Sequence, residues 1–248
     1  MKEIKVGLVA EGPSDLAALR VLLSEDFKDK KIENVVLSFE DLQPYIDNTS
    51  KSGYTEGGWL MVYKWCLEHS PEVRQNTFFG GGLFADGMDA FDVDGILVHM
   101  DSDICGEIRD KTNVSNPPSE SSSPATRGQF IRDVIANWLW PDDAVDDMRY
   151  LICPAVESIE AWLVAGLGDD ENPEAMKDIQ QRLAQLDYIV VRGKQPPPTI
   201  KAPNKKPDNY KNISIAASLK VGRISQKCTH FKKITDQLAA LVNDTVLV

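Results

Sequence analysis

Long apolar runs and paired cysteines are both missing from this 248-residue sequence. The apolar runs, such as those at 96–98 and 188–191, are far shorter than the roughly 20 residues that cross a bilayer, so we expect no membrane-spanning helix. The four cysteines form no C-x-x-C pair, which argues against a zinc site and fits a reducing compartment. The first residues lead into too short an apolar run for a secretory signal, and we therefore expect a cytoplasmic protein.

Residues that several common active sites require are also absent. Gly7 and Gly12 have the spacing of a phosphate-binding loop, but Pro13 stands where that loop needs its lysine, which excludes an ATP site of this kind. The sequence has only three histidines, and none has a second histidine at a metal-binding spacing. The chemistry must therefore come from other residue types.

The composition, with 42% apolar and 26% charged residues, is that of a globular protein. Strand patterns occur at 4–9, 35–37, 95–100 and 150–153, and those at 4–9 and 95–100 are typical of buried strands. Helix patterns lie between them, and this alternation predicts an α/β fold with an open, largely parallel sheet and helices on both faces. We predict a domain over 1–165 and a helical, basic C-terminal extension over 166–248 packed on it.

Acidic residues follow the predicted strands at the points where the strands end. They are Glu11 after the first strand, Asp101 and Asp103 after the third, and Glu157 and Glu160 after the fourth. Asp15 lies in the first turn of the helix after the first strand, which Ser14 is predicted to cap. Because ligands of open α/β sheets bind at the carboxyl ends of the strands, we expect these acids to share one crevice.

Clustered carboxylates favour a bound cation, because two charges 4 Å apart repel by about 4 kcal/mol at an effective dielectric of about 20. Hard oxygen ligands in small number favour Mg²⁺ or Mn²⁺ over zinc. Alternate residues leave a strand on the same side, so Asp101 and Asp103 can face one metal ion. Glu157 and Glu160 are three residues apart on a predicted helix that follows Pro154, where they either add metal ligands or stabilise the helix dipole.

The charge is unevenly distributed along the chain. The net charge is −11, yet residues 192–233 hold eleven Lys or Arg and one acid, so that segment is +10 and the remainder is −21. Such a segment is typical either of a phosphate-contacting surface or of a solvated face. The residues that we predict to contact nucleic acid are Lys201, Lys205, Lys206, Lys211, Arg223 and Lys227.

Two of the acidic motifs together resemble the Toprim domain of topoisomerases, primases and overcoming-lysogenization nucleases. They are Glu11-Gly12-Pro13-Ser14-Asp15 after a buried strand and Asp101-Ser102-Asp103 at the end of a later one. The resemblance implies that Glu11 is a general acid or base and that Asp101 and Asp103 bind Mg²⁺ for phosphodiester chemistry. It also matches Asp15 with an additional acid of the nuclease branch. No lysine lies within these motif loops, so the resemblance assigns no catalytic lysine.

The chain as a whole resembles a bacterial family of Toprim-like proteins called domain of unknown function 4276. The segments that carry this resemblance are 9–13, 97–101, 154–162 and 228–231. It extends over nearly the full length, but it assigns no activity by itself.

Three functions remain open at this point. The first is Mg²⁺-dependent phosphoryl transfer by a nuclease that acts on DNA or RNA, with the basic segment attracting the nucleic acid. The second is a non-catalytic accessory subunit of a separate ATPase in a defence-type system, because related nucleases carry an ATPase on the same chain. The third is a sugar-nucleotide transferase that uses its D-x-D for Mn²⁺, which gains no support from Glu11.

Overall fold

The structure of this chain, a computed structural model, describes residues 2–32, 34–43, 58–79, 92–119, 121–141, 147–186, 190–192, 200–202 and 205–247. The strands are β1 (Lys2–Val9), β2 (Val35–Asp41), β3 (Gly95–Asp101), β4 (Tyr150–Ala155), β5 (Val190–Arg192) and β6 (Ile200–Ala202). The helices are α1 (Pro13–Asp29), α2 (Trp59–Glu68), α3 (Pro71–Phe78), α4 (Pro124–Leu139), α5 (Glu160–Leu167), α6 (Ile179–Gln185), α7 (Pro207–Ser218), α8 (Val221–Lys227) and α9 (Thr229–Leu247). Short 3-10 turns cover Ile108–Lys111 and Pro173–Ala175.

Four strands form a parallel sheet in the order β2-β1-β3-β4. The pairing of β1 with β3 ends at Val9 opposite Val98, and the pairing of β3 with β4 ends at Asp101 opposite Ala155. The parallel α/β fold that the alternation predicts is therefore confirmed. Strands β5 and β6 form a separate antiparallel pair.

Alternate side chains of the central strands enter two hydrophobic cores, one on each face of the sheet. On one face, Val6 and Leu8 of β1 pack with α1, α5 and the C-terminal helices. On the other face, Ile96 and Val98 of β3 pack with α2 and α4. Every residue of β3 is buried because both faces are covered, as the apolar run at 95–100 predicts.

The C-terminal helices share the first of these cores with the sheet. Helix α7 packs along α1, and the ring of Phe231 in α9 lies 5.1 Å from that of Trp162 in α5. The predicted division at residue 165 falls inside α5. The segment 166–248 is therefore joined to the sheet through buried side chains.

Two helices begin at other residues than the sequence predicts. In α1, Gly12 is the N-cap instead of Ser14, because Pro13 occupies the first helical position, where its missing N–H costs nothing. Helix α5 begins only at Glu160, because Glu157 has a left-handed backbone with a φ of 59°. The prediction that Glu157 and Glu160 share one helix is therefore wrong.

Among the residues that the structure describes, no helix is both long enough and apolar enough to cross a bilayer.

Candidate functional site

The carboxyl ends of β1, β3 and β4 bring predicted site acids to one edge of the sheet. The backbone N–H of Asp101 donates to Oε1 of Glu11 at 2.8 Å. The backbone N–H of Asp103 donates to the carbonyl oxygen of Glu157 at 3.1 Å. Parallel strand order therefore places these four residues together, as expected of strand ends in an open α/β sheet.

Asp101 is held at the end of β3 by two further groups. Its Oδ1 accepts a hydrogen bond from the backbone N–H of Ile159 at 3.1 Å and lies 3.4 Å from Nε2 of His99. Nδ1 of His99 donates to the carbonyl oxygen of Cys153 at 3.0 Å. Burial alone would lower the pKa of His99, but this hydrogen bond and the neighbouring acids raise it to about 9. The raised pKa favours the charged form of His99 beside Asp101.

Burial and mutual repulsion disfavour the charged forms of the acids at this edge. Burial, and after it the charge of Asp101, raise the pKa of Glu11 to about 9. Burial and the neighbouring carboxylates also raise the pKa values of Asp15 and Asp101. Partial desolvation raises the pKa of Asp103 to about 6. These four carboxyl groups therefore favour protons or an added cation.

Glu160 is also fully buried, and two side chains pair with one oxygen of its carboxylate, while Oε2 has no hydrogen-bond partner in the described part of the chain. Its Oε1 lies 3.3 Å from Nζ of Lys205 and accepts a hydrogen bond from the hydroxyl of Tyr210. Burial alone would raise the pKa of Glu160, but Lys205 and the hydrogen bonds hold it below its usual value. The charges of Glu160, Asp101 and Asp15 raise the pKa of Lys205 against the effect of its own burial. The structure therefore places the ammonium group of Lys205, a predicted nucleic-acid contact, among the acids.

Glu157 stabilises the loop that carries Asp103. Its carboxylate forms an ion pair with the buried guanidinium of Arg127 in α4. Its backbone N–H donates to Oγ of Ser102 at 2.9 Å, and its carbonyl oxygen accepts from Asp103. Arg127 also donates to the carbonyl oxygen of Glu174, 3.5 Å away. The predicted ligand Glu157 is therefore engaged in connecting the ends of β3 and β4.

Two other predicted nucleic-acid contacts lie near the start of α7. Lys206 is the residue before Pro207 at the first position of α7, and Lys211 is one turn further; both are exposed. The side chain of Lys201 lies outside the described residues. Since Lys205 precedes the same helix, this end of α7 carries positive charge next to the acidic edge.

The remaining predicted contacts lie at the other end of α7. Arg223 forms an ion pair with Asp169, and Nζ of Lys227 donates to the carbonyl oxygen of Asp170. The twelve residues of α7 correspond to roughly 18 Å between its ends. Both residues line a cleft with the last turn of α1, whose first turn lies at the acidic edge. The basic segment is therefore divided between two ends of the protein.

The donor set suits a hard cation, although the side chains do not surround one. Among the described residues, no three His, Cys, Asp or Glu side chains lie close enough together to enclose a metal ion. Glu157 and Glu160 are already paired with Arg127 and Lys205. Glu11, Asp101 and the other acids with raised pKa values offer only carboxylate oxygens, which fit Mg²⁺ or Mn²⁺ better than zinc.

Three residues of this site were not predicted to belong to it. His99 stands two positions before Asp101, and the alternation of side chains along a strand could have placed both on one side. Arg127 and Lys205 had no such local signal, because their partners are distant in the sequence. All three supply the positive charge that the acidic motifs themselves lack.

No protein-family model, curated protein or solved structure matches this chain. The resemblance to Toprim domains therefore stays a prediction. Function is therefore inferred from the arrangement of the acids at the carboxyl ends of β1, β3 and β4.

Proposed function

We propose that this protein is a Mg²⁺-dependent phosphoryl-transfer enzyme, a nuclease that cleaves DNA or RNA at the acidic edge of its sheet. The observation that carries the proposal is the 2.8 Å hydrogen bond from the backbone of Asp101 to Glu11. It joins a candidate general acid or base to the D-x-D pair across two adjacent parallel strands. The raised pKa values of these acids support a site that gains from a cation.

Asp101 and Asp103 are the proposed metal ligands, with Glu11 and Asp15 as further oxygen donors. Bound Mg²⁺ would neutralise charge on the phosphoryl group and lower the pKa of an attacking water. Glu160 is assigned a different role, because Lys205 and Tyr210 already occupy its Oε1. Its charge keeps the ammonium group of Lys205 at the site.

Glu11 is the proposed general acid or base. With a pKa of about 9, its carboxyl group is protonated at neutral pH before a cation arrives. Because Oε1 accepts the N–H of Asp101, the proton belongs on Oε2. Transfer of that proton to or from a reacting oxygen is the step that Glu11 would perform.

Lys205 and His99 have the charge needed to hold an anionic substrate beside the acids. His99 is fully buried against Asp101, so it offsets charge from inside the protein. Lys205 is partly exposed and pairs with Glu160, so its ammonium group is open to a phosphate from solvent. Lys206 and Lys211 extend this positive charge along α7 toward a nucleic-acid strand.

A second candidate is a Toprim-like subunit that binds a partner ATPase and has no activity of its own. One observation favours it: Glu157 and Glu160 already have cationic partners inside the protein, so part of the cluster is stable without a metal ion. This candidate predicts metal binding without turnover.

The experiment is a cleavage assay with the purified chain, Mg²⁺, Mn²⁺ or EDTA, and single- and double-stranded DNA and RNA. We expect metal-dependent cleavage, reduced about a hundredfold or more in Glu11→Gln and in Asp101→Asn. Asp110→Asn is the matched control, because Asp110 is exposed on the 3-10 turn after the D-x-D loop. Metal binding without cleavage would favour the second candidate, and equal rates in all three variants would refute the site.

A further inference from the structure

A cleft of about 500 Å³ opens directly beside the D-x-D loop. Its walls include Ser102, Asp103, Arg109, Arg127 and Lys177. The volume lies within the range of roughly 300–1,000 Å³ that is typical of small-molecule sites. A cleft of this size has room for one nucleotide but not for a stacked duplex. Because Asp103 belongs both to the cleft and to the proposed metal site, a ligand can occupy the two together.

The cations of the cleft have different partners. The guanidinium of Arg127 is at least nine-tenths buried and pairs with Glu157, so these two charges offset each other. Arg109 and Lys177 are exposed, and neither forms an ion pair with any residue that the structure describes. The cleft therefore presents two cations that no ion pair within the described residues holds.

The acids of the cleft offset part of that positive charge. Glu107 also lines the cleft and keeps its charge, because the indole N–H of Trp59 that donates to it at 3.3 Å is neutral. Asp103 is a proposed metal ligand, so with a cation bound there the cleft keeps a net positive charge. Nε of Arg127 has no hydrogen-bond partner within the described part of the chain, which leaves a buried donor in the wall of the cleft. The chemistry of this wall suits a ligand that is anionic and rich in acceptor oxygens.

We propose that this cleft binds one nucleotide of the substrate strand, with its phosphate held by Arg109 and Lys177. The inference rests on the proposed phosphodiester chemistry and deepens it, because it selects an unpaired nucleotide over a duplex. The scissile phosphate lies at Asp101 and Asp103, and the adjacent nucleotide enters the cleft. The substrate class is therefore single-stranded nucleic acid or a frayed end.

The test uses adenosine 5′-monophosphate, adenosine and inorganic phosphate, titrated calorimetrically into the full chain with Mg²⁺. We expect the mononucleotide to bind at least about tenfold tighter than adenosine or phosphate alone. The double variant Arg109→Gln/Lys177→Gln should weaken mononucleotide binding about tenfold and leave adenosine binding unchanged. Lys31→Gln/Lys233→Gln is the matched control, since it removes two exposed charges that do not line the cleft.

Three outcomes would overturn the inference: equal binding of nucleotide and nucleoside, equal binding of nucleotide and phosphate, or unchanged binding in the Arg109 and Lys177 variant. The mononucleotide has no phosphodiester bond, so its binding does not depend on cleavage. A chain that binds it through Arg109 and Lys177 but cleaves no polymer supports the cleft and contradicts the nuclease proposal. A chain that cleaves polymers but binds no mononucleotide supports the nuclease proposal and contradicts the cleft.

Discussion

Asp101 and Glu160 are buried acids at the same edge of the sheet, but their pKa values shift in opposite directions. Asp101 lies near Asp15, Glu160 and Asp103, and burial with this repulsion raises its pKa. Glu160 has Lys205 and the hydroxyl of Tyr210 within reach, and they hold its pKa down despite burial. Burial alone therefore does not decide the charge of an acid here; the nearest partner does. Glu157 and Glu160 already have cationic partners within the protein, whereas Glu11, Asp15, Asp101 and Asp103 gain from an added cation.

The largest expected effect is the gain in stability when a metal ion binds to the acids that have raised pKa values. Binding of Mg²⁺ or Mn²⁺ to the folded state alone should stabilise the protein by about 2.7 kcal/mol at a hundredfold excess over Kd. Asp101→Asn should abolish most of this gain, because it removes a charge but keeps an oxygen that can accept from Ile159. The measurement is the melting temperature against metal concentration. Stabilisation of the variant equal to that of the wild type would place the metal elsewhere.

A smaller change in stability is expected when Lys205, the cation that pairs with Glu160, is replaced. Lys205→Met leaves the buried charge of Glu160 without its ion-pair partner. Breaking a buried pair costs roughly 3–5 kcal/mol, and the 38% exposure of the Lys205 side chain reduces the expected loss to about 2 kcal/mol. Urea unfolding measures it, with the exposed neighbour in Lys206→Met as the matched control. Equal losses in both variants would show that the pairing with Glu160 contributes nothing.

The dependence of stability on pH should separate the two kinds of acid further. The pKa of Glu11 is about 9 in the folded protein and 4.5 ordinarily, so the folded state retains a proton that the unfolded state releases. The free energy of unfolding should therefore fall as the pH rises from about 4.5 to about 9. His99, raised from 6.5 to about 9, adds to the fall over the upper part of this range.

This dependence is measured by urea unfolding in EDTA at several pH values. Glu11→Gln should flatten the fall, and the residual slope should come from His99 and from Asp15, Asp101 and Asp103, whose pKa values are also raised. Asp110→Asn should leave the slope of the wild type unchanged. A wild-type stability that rises with pH across this range would contradict the raised pKa of Glu11.

The smallest expected effect concerns the two groups of basic residues. Each phosphate contact contributes about 0.7 to the slope of log affinity against log salt for a single strand, the substrate inferred above. Lys206→Gln/Lys211→Gln, next to the acidic edge, should flatten that slope by up to about 1.4 units. Arg223→Gln/Lys227→Gln should leave it nearly unchanged, because these residues lie at the other end of α7 and already have partners. Equal changes of the slope in both variants would show that the two groups of basic residues act as one nucleic-acid-binding surface.

Much of the framework was predictable from local patterns. The buried strands, the α/β class, and the positions of Glu11 after β1 and of Asp101 at the end of β3 all follow from apolar runs that end in acids. The boundary residues were less predictable, since a proline at the first helical position and the left-handed backbone of Glu157 moved two helix starts. These shifts depend on single backbone angles, which periodicity does not report.

Which acids meet follows from the order of strands and acids along the chain, because parallel strands in one sheet end at one edge whatever surrounds them. Which of those acids are neutralised depends on the packing of distant segments. Arg127 and Lys205 reach Glu157 and Glu160 from α4 and from the residues before α7, across long separations in the chain. Coulomb interactions depend on distance in space and not on separation along the chain. A basic residue of a segment that the sequence predicts to be a surface can therefore lie inside an acidic site.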